Sequence, residues 1–271
     1  IARHVSEFCE KVSLVTSIGE KGEYKKFISK NLPKNVKPYF VKKSNSPTIV
    51  KKKYIDSINK NKVFGTYKIN DDMLSKKDEK KFSSLINKLI KKHDLVILSD
   101  YGHGFISERM AKKICTLSKF IATNVQLNAA NIGHHTINKY KNLDCLIINE
   151  TELRHELRNK TENIENLTKK LCKKFKIKRT IVTRGSKGAI IYEEKKNKFY
   201  DSAAFAEKSL DKIGAGDAMM SIMALSLKQE KNSMLSLFLG SIAGAQSVEI
   251  MGNSDFVRKN KFLKTLEHLL K

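Results

Sequence analysis

One stretch of the sequence combines two glycines with an acidic residue at the start of an apolar segment. Gly214 and Gly216 flank Ala215, and Asp217 directly precedes the apolar run that begins at Ala218. Such glycines allow a sharp turn that points successive N–H groups at one spot, where a following helix adds the positive end of its dipole. A carboxylate beside a phosphate held there could accept a proton from an attacking hydroxyl. The stretch therefore indicates phosphoryl transfer, although Gly-x-Gly before a helix is also typical of a plain tight turn.

The elements that would position this stretch alternate between strand and helix. Their spacing predicts a parallel sheet with helices on both faces, and in such sheets ligands bind beyond the carboxyl ends of the strands. Polar clusters follow three of the predicted strands, at 99–100, 149–152 and 183–185. We predict strands at 11–18, 94–99, 120–123, 144–148 and 179–183, a hairpin at 188–201, and helices at 19–32, 76–92, 107–117, 150–158, 162–175, 218–229, 233–250 and 255–270.

The range from about 35 to 70 has a different sequence pattern from the rest of the chain. Short β-prone runs are broken there by Asn, Ser and Pro, and helical periodicity is absent. We predict a small sheet that projects from the body and acts as a lid over a substrate. A hairpin without function and a dimer contact are the alternatives. The remainder of 1–271 is predicted to form a single domain.

The formal net charge of +25 raises nucleic acid as a partner. Only seven of the 53 basic residues are arginine, and the lysines are spread over the whole length. Nucleic-acid readers concentrate their charge and use Arg for bidentate contacts, so we expect solvated lysine faces and no nucleic-acid partner.

The four cysteines lie far apart without a C-x-x-C pair, which is typical of reduced thiols in a cytoplasmic protein. The longest apolar stretch is too short to span a bilayer, so no membrane contact is expected. The sequence also contains neither a G-x-x-x-x-G-K-[ST] phosphate loop nor a G-x-G-x-x-G dinucleotide fingerprint. A Rossmann dehydrogenase is therefore disfavoured.

Three motifs, in order, resemble those of the ribokinase-like (PfkB) carbohydrate kinases. Residues 211–217 match D-x-x-G-A-G-D, 149–152 match N-E-x-E, and 183–188 match T-x-G-x-x-G. Within that family, the run 99–104 (SDYGHG) looks like the S-D-Y-G-K-G of the heptose 7-phosphate kinases, the kinase half of bifunctional heptose kinase/nucleotidyltransferases. The run 46–51 is similar to their lid strand. The resemblance implies a three-layer α/β/α domain with a mostly parallel sheet and a β lid, lacking the family's N-terminal strands.

The resemblance also implies roles for individual residues. Asp217 would be the catalytic base, with the Gly214, Ala215 and Gly216 amides as the anion hole. Asn149 would place phosphates, and Glu152 would serve Mg²⁺ through water, although a Glu there is also typical of a helix cap. The implied cofactors are ATP and Mg²⁺, with K⁺ as a further candidate. The remaining implied contacts are Thr183 and Gly185 with the nucleotide, Asp211 with a monovalent cation, and Thr48, Lys51 and Asp100 with the substrate.

We therefore expect an ATP-dependent kinase of a phosphosugar, with a heptose 7-phosphate type of substrate. The resemblance adds a homodimer formed through the lid and a fused or partner nucleotidyltransferase. His103 replaces a lysine of the heptose kinase motif; a contact with a substrate phosphate is one alternative for it, and an exposed turn residue is the role that we expect. The alternatives are a nucleoside or other small-alcohol kinase on the same scaffold and a kinase-like remnant without catalysis.

Overall fold

The computed structural model describes residues 1–58, 62–127, 135–206, 210–211, 213–229 and 232–271. Its strands are β1 (Val12–Gly19), β2 (Val36–Lys43), β3 (Val50–Ile55), β4 (Lys62–Lys68), β5 (Val96–Asp100), β6 (Ile121–Val125), β7 (Cys145–Asn149), β8 (Arg179–Thr183), β9 (Ala189–Glu193) and β10 (Lys198–Ser202). Its helices are α1 (Ala2–Ser6), α2 (Lys25–Lys30), α3 (Lys76–Ile90), α4 (Glu108–Leu117), α5 (Glu150–Glu156), α6 (Ile164–Phe175), α7 (Ala215–Gln229), α8 (Ser233–Val248) and α9 (Lys259–Leu269).

A six-stranded sheet in the order β10-β9-β8-β7-β6-β5 forms the centre of the fold. Strands β5 to β8 run parallel, and β9 and β10 complete the sheet as an antiparallel hairpin. The carboxyl ends of the four parallel strands therefore share one edge, as the sequence predicts.

Side chains alternate between the two faces of this sheet and bury helices on both. In β7, Leu146 and Ile148 pack into a core with α3, α4 and α6, whereas Cys145 and Ile147 pack against α7 and α8. Because successive residues of a strand point to opposite faces, the wholly apolar β7 is what a strand between two helical layers requires. The architecture is the predicted three-layer α/β/α sandwich.

Residues 19–32 are not one helix, and this prediction is wrong. Only α2 is helical, because Gly22 and Tyr24 adopt left-handed backbone angles with φ of 70° and 65°. Gly19 lies so close to the chain before β3 that a Cβ there would come within 2.2 Å of the Thr48 nitrogen. The segment is shaped by this close approach, which helical periodicity does not reveal.

The described part of the range 35–70 forms two separate sheets. Strand β2 pairs in parallel with β1, while β3 and β4 form an antiparallel hairpin of their own. We call the hairpin 50–68 the lid hairpin. Among the described residues of this range, the lid hairpin forms a sheet without strands from the rest of the chain, as a lid would need, whereas β2 pairs with β1.

No helix among the described residues is long and apolar enough to cross a membrane.

Candidate active site

The glycine-rich turn opens α7 with amides that have no acceptor within the helix. Gly214 has a φ of 90°, a backbone angle that glycine adopts without strain, and α7 begins at the next residue. The first hydrogen bond of the helix runs from the Ala218 N–H to the Gly214 carbonyl at 2.9 Å. The amides of Ala215, Gly216 and Asp217 precede it and have no intrahelical acceptor. A Cβ added to Gly216 would meet nothing within 4 Å, so the space beside these amides is open.

The carboxylate of Asp217 lies beside this turn and is half-buried. Its Oδ2 accepts a hydrogen bond from the Tyr101 hydroxyl at 3.3 Å. Its Oδ1 has no hydrogen-bond partner among the residues that the structure describes. Burial raises the pKa of Asp217, because desolvation disfavours the charged form. A carboxylate with a raised pKa is a stronger base, which suits proton abstraction from an alcohol.

Asp100 holds the turn that presents Tyr101. Its side chain is almost fully buried, and its Oδ2 lies 2.6 Å from both the Lys139 ammonium and the Tyr140 hydroxyl. Its Oδ1 accepts from the Gly102 N–H at 3.0 Å. Burial alone would raise the pKa of Asp100, but the Lys139 charge and these hydrogen bonds hold it below its usual value. The predicted substrate contact is thus a residue whose carboxylate is already engaged by the protein.

His103, in the same turn, is buried, so the prediction of an exposed histidine is wrong. Its Nδ1 lies 2.7 Å from Asp71 Oδ1. The contact joins the turn to the segment that precedes α3.

The two predicted lid residues have different surroundings. The Thr48 hydroxyl is buried, accepts from the Gly19 N–H at 2.9 Å and donates to the Glu23 carbonyl at 2.9 Å. Thr48 therefore joins the base of the lid hairpin to the end of β1. Lys51 is exposed, and its ammonium lies 5.7 Å from the centroid of the Tyr101 ring. The structure thus brings Lys51 to the residue that contacts Asp217.

Asn149 and Glu152 form a reciprocal cap at the start of α5. Asn149 Oδ1 accepts from the Glu152 N–H at 2.8 Å, and Glu152 Oε2 accepts from the Asn149 N–H at 3.0 Å. Glu152 Oε1 also accepts from the Leu127 N–H at 3.1 Å. Glu152 is only 6% exposed, and burial raises its pKa. The alternative role as a cap is confirmed, and a contact with metal would have to use the lone pairs that these amides leave.

Thr183 lies next to Asn149 in the sheet register, at the carboxyl ends of β8 and β7. Gly185 follows with a φ of 59°, and a Cβ there would meet nothing within 4 Å. The two sequence motifs at 149–152 and 183–188 are therefore neighbours in space. The open side of Gly185 would allow a ligand to approach the backbone closely.

Asp211 is held by backbone donors. Its Oδ1 accepts from the Ile213 N–H at 3.0 Å, and its Oδ2 accepts from the Gly252 N–H at 3.1 Å. These bonds join the start of the glycine-rich turn to the chain after α8. No group of three or more His, Cys, Asp or Glu side chains that could hold a metal occurs in the described ranges.

The chain matches the model of a known protein family. The model of the pfkB family of carbohydrate kinases matches residues 1–260. The chain belongs to the pfkB family. Its members are phosphotransferases with an alcohol group as acceptor.

Curated relatives of this pfkB domain carry the name bifunctional protein HldE. The protein from Campylobacter fetus is 25% identical over 190 residues, which are 69% of this chain and 38% of that protein. The protein from Helicobacter pylori is 26% identical over 216 residues, covering 73% of this chain and 46% of its own length. The chain thus spans less than half the length of these relatives.

Solved structures confirm the ribokinase-like fold. Phosphofructokinase-2 from Escherichia coli, in complex with potassium, superposes with a TM-score of 0.76 at 14% identity, covering 100% of this chain and 86% of that one. Ribokinase from Arabidopsis thaliana, complexed with ribose and ATP, gives a TM-score of 0.71 at 20% identity, covering 98% and 85%.

The sequence did not indicate any role for Tyr101 in the pfkB site. It lies within the heptose kinase-like run 99–104, but it is 116 residues from Asp217. No spacing rule connects residues so far apart. The sequence signals were its place in the run 99–104 and its position shortly after the predicted strand 94–99, at the edge of the sheet where ligands bind.

Proposed function

We propose that this chain is an ATP-dependent kinase that transfers the γ-phosphate to a hydroxyl of a phosphosugar, with Asp217 as the base. One observation carries the proposal: the Asp217 carboxylate, whose Oδ1 has no hydrogen-bond partner among the described residues, stands beside three helix-opening amides that have no intrahelical acceptor. Family membership supports the reaction class.

In the proposed reaction, the Asp217 carboxylate takes the proton of the acceptor hydroxyl. The acceptor oxygen then forms a bond to the γ-phosphorus while the bond from that phosphorus to the β,γ-bridging oxygen breaks, and ADP leaves. The amides of Gly214, Ala215 and Gly216 would donate to the phosphoryl oxygens as their negative charge redistributes. Thr183 and Gly185 would line the nucleotide at the neighbouring strand end.

Mg²⁺ fits this site only through water. Glu152 already accepts two amide hydrogen bonds, so it would hold metal-bound water rather than the ion itself. Bound Mg²⁺ would neutralise charge on the phosphate oxygens. Asn149, whose side chain is exposed, would face those phosphates. For Asp211 we keep K⁺ as a candidate, with activity in K⁺ compared with Na⁺ as its test.

We propose a phosphorylated sugar of the heptose 7-phosphate type as the acceptor. The run 99–104, which resembles the heptose kinase motif, supports it, as does an exposed ammonium at Lys51 beside the site. Burial lowers the pKa of Lys51, and the carboxylate of Asp71 acts on it without an ion pair within 4 Å in the part of the chain that is described, so its charge is available to an anionic substrate. We also propose a cytoplasmic location, which the four free thiols support.

Two partners form part of the proposal. Tyr54 and Phe64 stack at 4.2 Å on the lid hairpin while both remain about half exposed, which supports a homodimer through the lid. The relatives are named bifunctional and are more than twice as long as the matched region, which supports a fused or partner nucleotidyltransferase.

The test is Asp217→Asn, which keeps the shape of the side chain and removes its basicity. We expect turnover of ATP with a heptose 7-phosphate to fall about 10²- to 10⁴-fold, because general-base catalysis contributes that much. ATP affinity, measured by calorimetry, should change less than about threefold. Asp201→Asn, at an exposed position of β10, is the matched control. Turnover of the Asp217 variant within about tenfold of wild type would remove the assigned base.

A further inference from the structure

We propose that Tyr101 is a positioning residue for Asp217, holding Oδ2 so that Oδ1 is presented to the acceptor hydroxyl. The inference rests on the proposed function, because it gives Asp217 its orientation as the base. Its basis is the 3.3 Å hydrogen bond from the Tyr101 hydroxyl to Oδ2, together with the lack of a described partner for Oδ1. The two oxygens of the Asp217 carboxylate therefore differ in their surroundings: Oδ2 accepts a hydrogen bond, and Oδ1 has no partner among the described residues.

The turn that carries Tyr101 is firmly held. Asp100, the residue before Tyr101, is fixed by Lys139 and Tyr140, each 2.6 Å from its Oδ2. Its Oδ1 accepts from the N–H of Gly102, the residue after Tyr101. Tyr101 is therefore flanked on both sides by anchored backbone. Because the Tyr101 hydroxyl is held in place, its hydrogen bond restricts the rotation of the Asp217 carboxylate.

The chemistry of the pair supports a donor role for Tyr101. Burial, and then the negative charge of Asp217, raise the pKa of Tyr101 to about 12, so the phenol keeps its proton near neutral pH. A hydrogen bond donated to a carboxylate favours the charged form and lowers its pKa. Tyr101 thus partly offsets the burial that raises the pKa of Asp217.

The ring of Tyr101 has a separate contact that must be left intact in a test. The Lys51 ammonium lies 5.7 Å from the ring centroid, within range of a cation–π interaction between the lid hairpin and the turn. Because this contact uses the aromatic face, Tyr101→Phe keeps it and removes only the hydroxyl, which contacts Asp217 and also the Ser99 side chain. The variant therefore separates the effect on Asp217 from an effect on the lid.

The experiment compares Tyr101→Phe with Tyr192→Phe. The Tyr192 hydroxyl donates to Asn197 Oδ1 at 3.0 Å on the β9–β10 hairpin, so the control also loses one hydroxyl that makes a side-chain hydrogen bond. For Tyr101→Phe we expect kcat to fall about tenfold, the loss that one hydrogen bond of typical net strength implies, with the KM for ATP within about twofold. The acid limb of the kcat–pH profile should move to higher pH, whereas Tyr192→Phe should match wild type in all three quantities.

Two outcomes are distinguishable when Asp217→Asn is measured alongside. If Asp217→Asn stays active, the proposed base is wrong and the positioning role falls with it. If Asp217→Asn is inactive while Tyr101→Phe keeps the wild-type kcat and pH profile, the positioning role alone is overturned. Thermal unfolding of both Phe variants shows whether each is folded.

Discussion

The ammonium of Lys51 lies over the ring of Tyr101, 5.7 Å from its centroid, and so joins the lid hairpin to the turn that contacts Asp217. Successive residues of a strand point to opposite faces, so Lys52 is directed away from this contact. One face of the lid hairpin is thereby directed at the proposed site.

Lys51→Met should raise the KM for a phosphosugar about tenfold, because the variant loses a cation that would pair with the substrate phosphate. The KM for ATP and the free energy of unfolding should change little, since Lys51 is exposed. Lys52→Met, on the other face, is the matched control. Steady-state kinetics with the phosphosugar and with its dephosphorylated form provide the measurement. An equal loss with both acceptors would show that Lys51 does not recognise the phosphate.

Asp100→Asn should lower the free energy of unfolding by about 3 to 5 kcal/mol, because it leaves the Lys139 ammonium next to a neutral, buried side chain. Urea unfolding gives this value. The control is Asp94→Asn, which breaks an exposed pair with Lys119 and should cost no more than about 1 kcal/mol. A similar loss of unfolding free energy in both variants would mean that the buried pair stabilises the fold no more than the exposed pair does.

The same residue predicts a dependence on pH. The pKa of Asp100 is lowered in the fold relative to its usual 3.8, so its charge stabilises the folded state above that value. This contribution is lost as the pH falls from about 4 through the lowered pKa. Between pH 7 and pH 3, wild type should therefore lose more stability than Asp100→Asn. Parallel curves for the two proteins would contradict the assignment.

The sequence was sufficient for the sheet and for the glycine-rich turn, because both depend on local pattern. Strand β8 was predicted with its observed bounds, and the apolar run of β7 indicated its burial between two layers. Asp100 was predicted as a substrate contact because it lies in the run 99–104 that resembles the heptose kinase motif, and its position after a predicted strand agrees with that role. Its neutralisation by Lys139 is not visible, since it depends on how the chain after β6 returns to the turn.

The site also depends on approaches between distant segments, which periodicity does not encode. Gly19 was assigned to a helix, yet it meets the backbone near Thr48. Strand β2 reads like the β-prone runs that follow it, but it pairs with β1. Glu152 fits both a helix cap and a metal contact in the sequence, and only its second bond, to the Leu127 N–H, shows how completely its oxygens are used.

Glu152→Gln should raise the Mg²⁺ concentration needed for half-maximal activity about tenfold, if its carboxylate holds metal-bound water. Glu156→Gln is a close control on the same helix, because Glu156 also accepts a backbone hydrogen bond, from the Ile137 N–H at 3.0 Å, and burial also raises its pKa. Titration of activity with Mg²⁺ at saturating ATP separates the two. If both variants lose stability and neither changes the Mg²⁺ requirement, Glu152 is a structural cap alone.

Gly216→Ala should reduce kcat/KM for ATP at least about tenfold without destabilising the fold. The added methyl would meet no protein atom within 4 Å and would enter the space beside the Ala215 and Asp217 amides, where the transferred phosphate is proposed to lie. Alanine is the better helix former, so the free energy of unfolding should rise by up to about 1 kcal/mol. Gly214→Ala gives the contrasting case, because a side chain at a φ of 90° is strained and should cost about 1 to 3 kcal/mol. Kinetics and urea unfolding of both variants distinguish lost phosphate binding from lost stability, and a fully active Gly216→Ala enzyme would place the phosphate elsewhere.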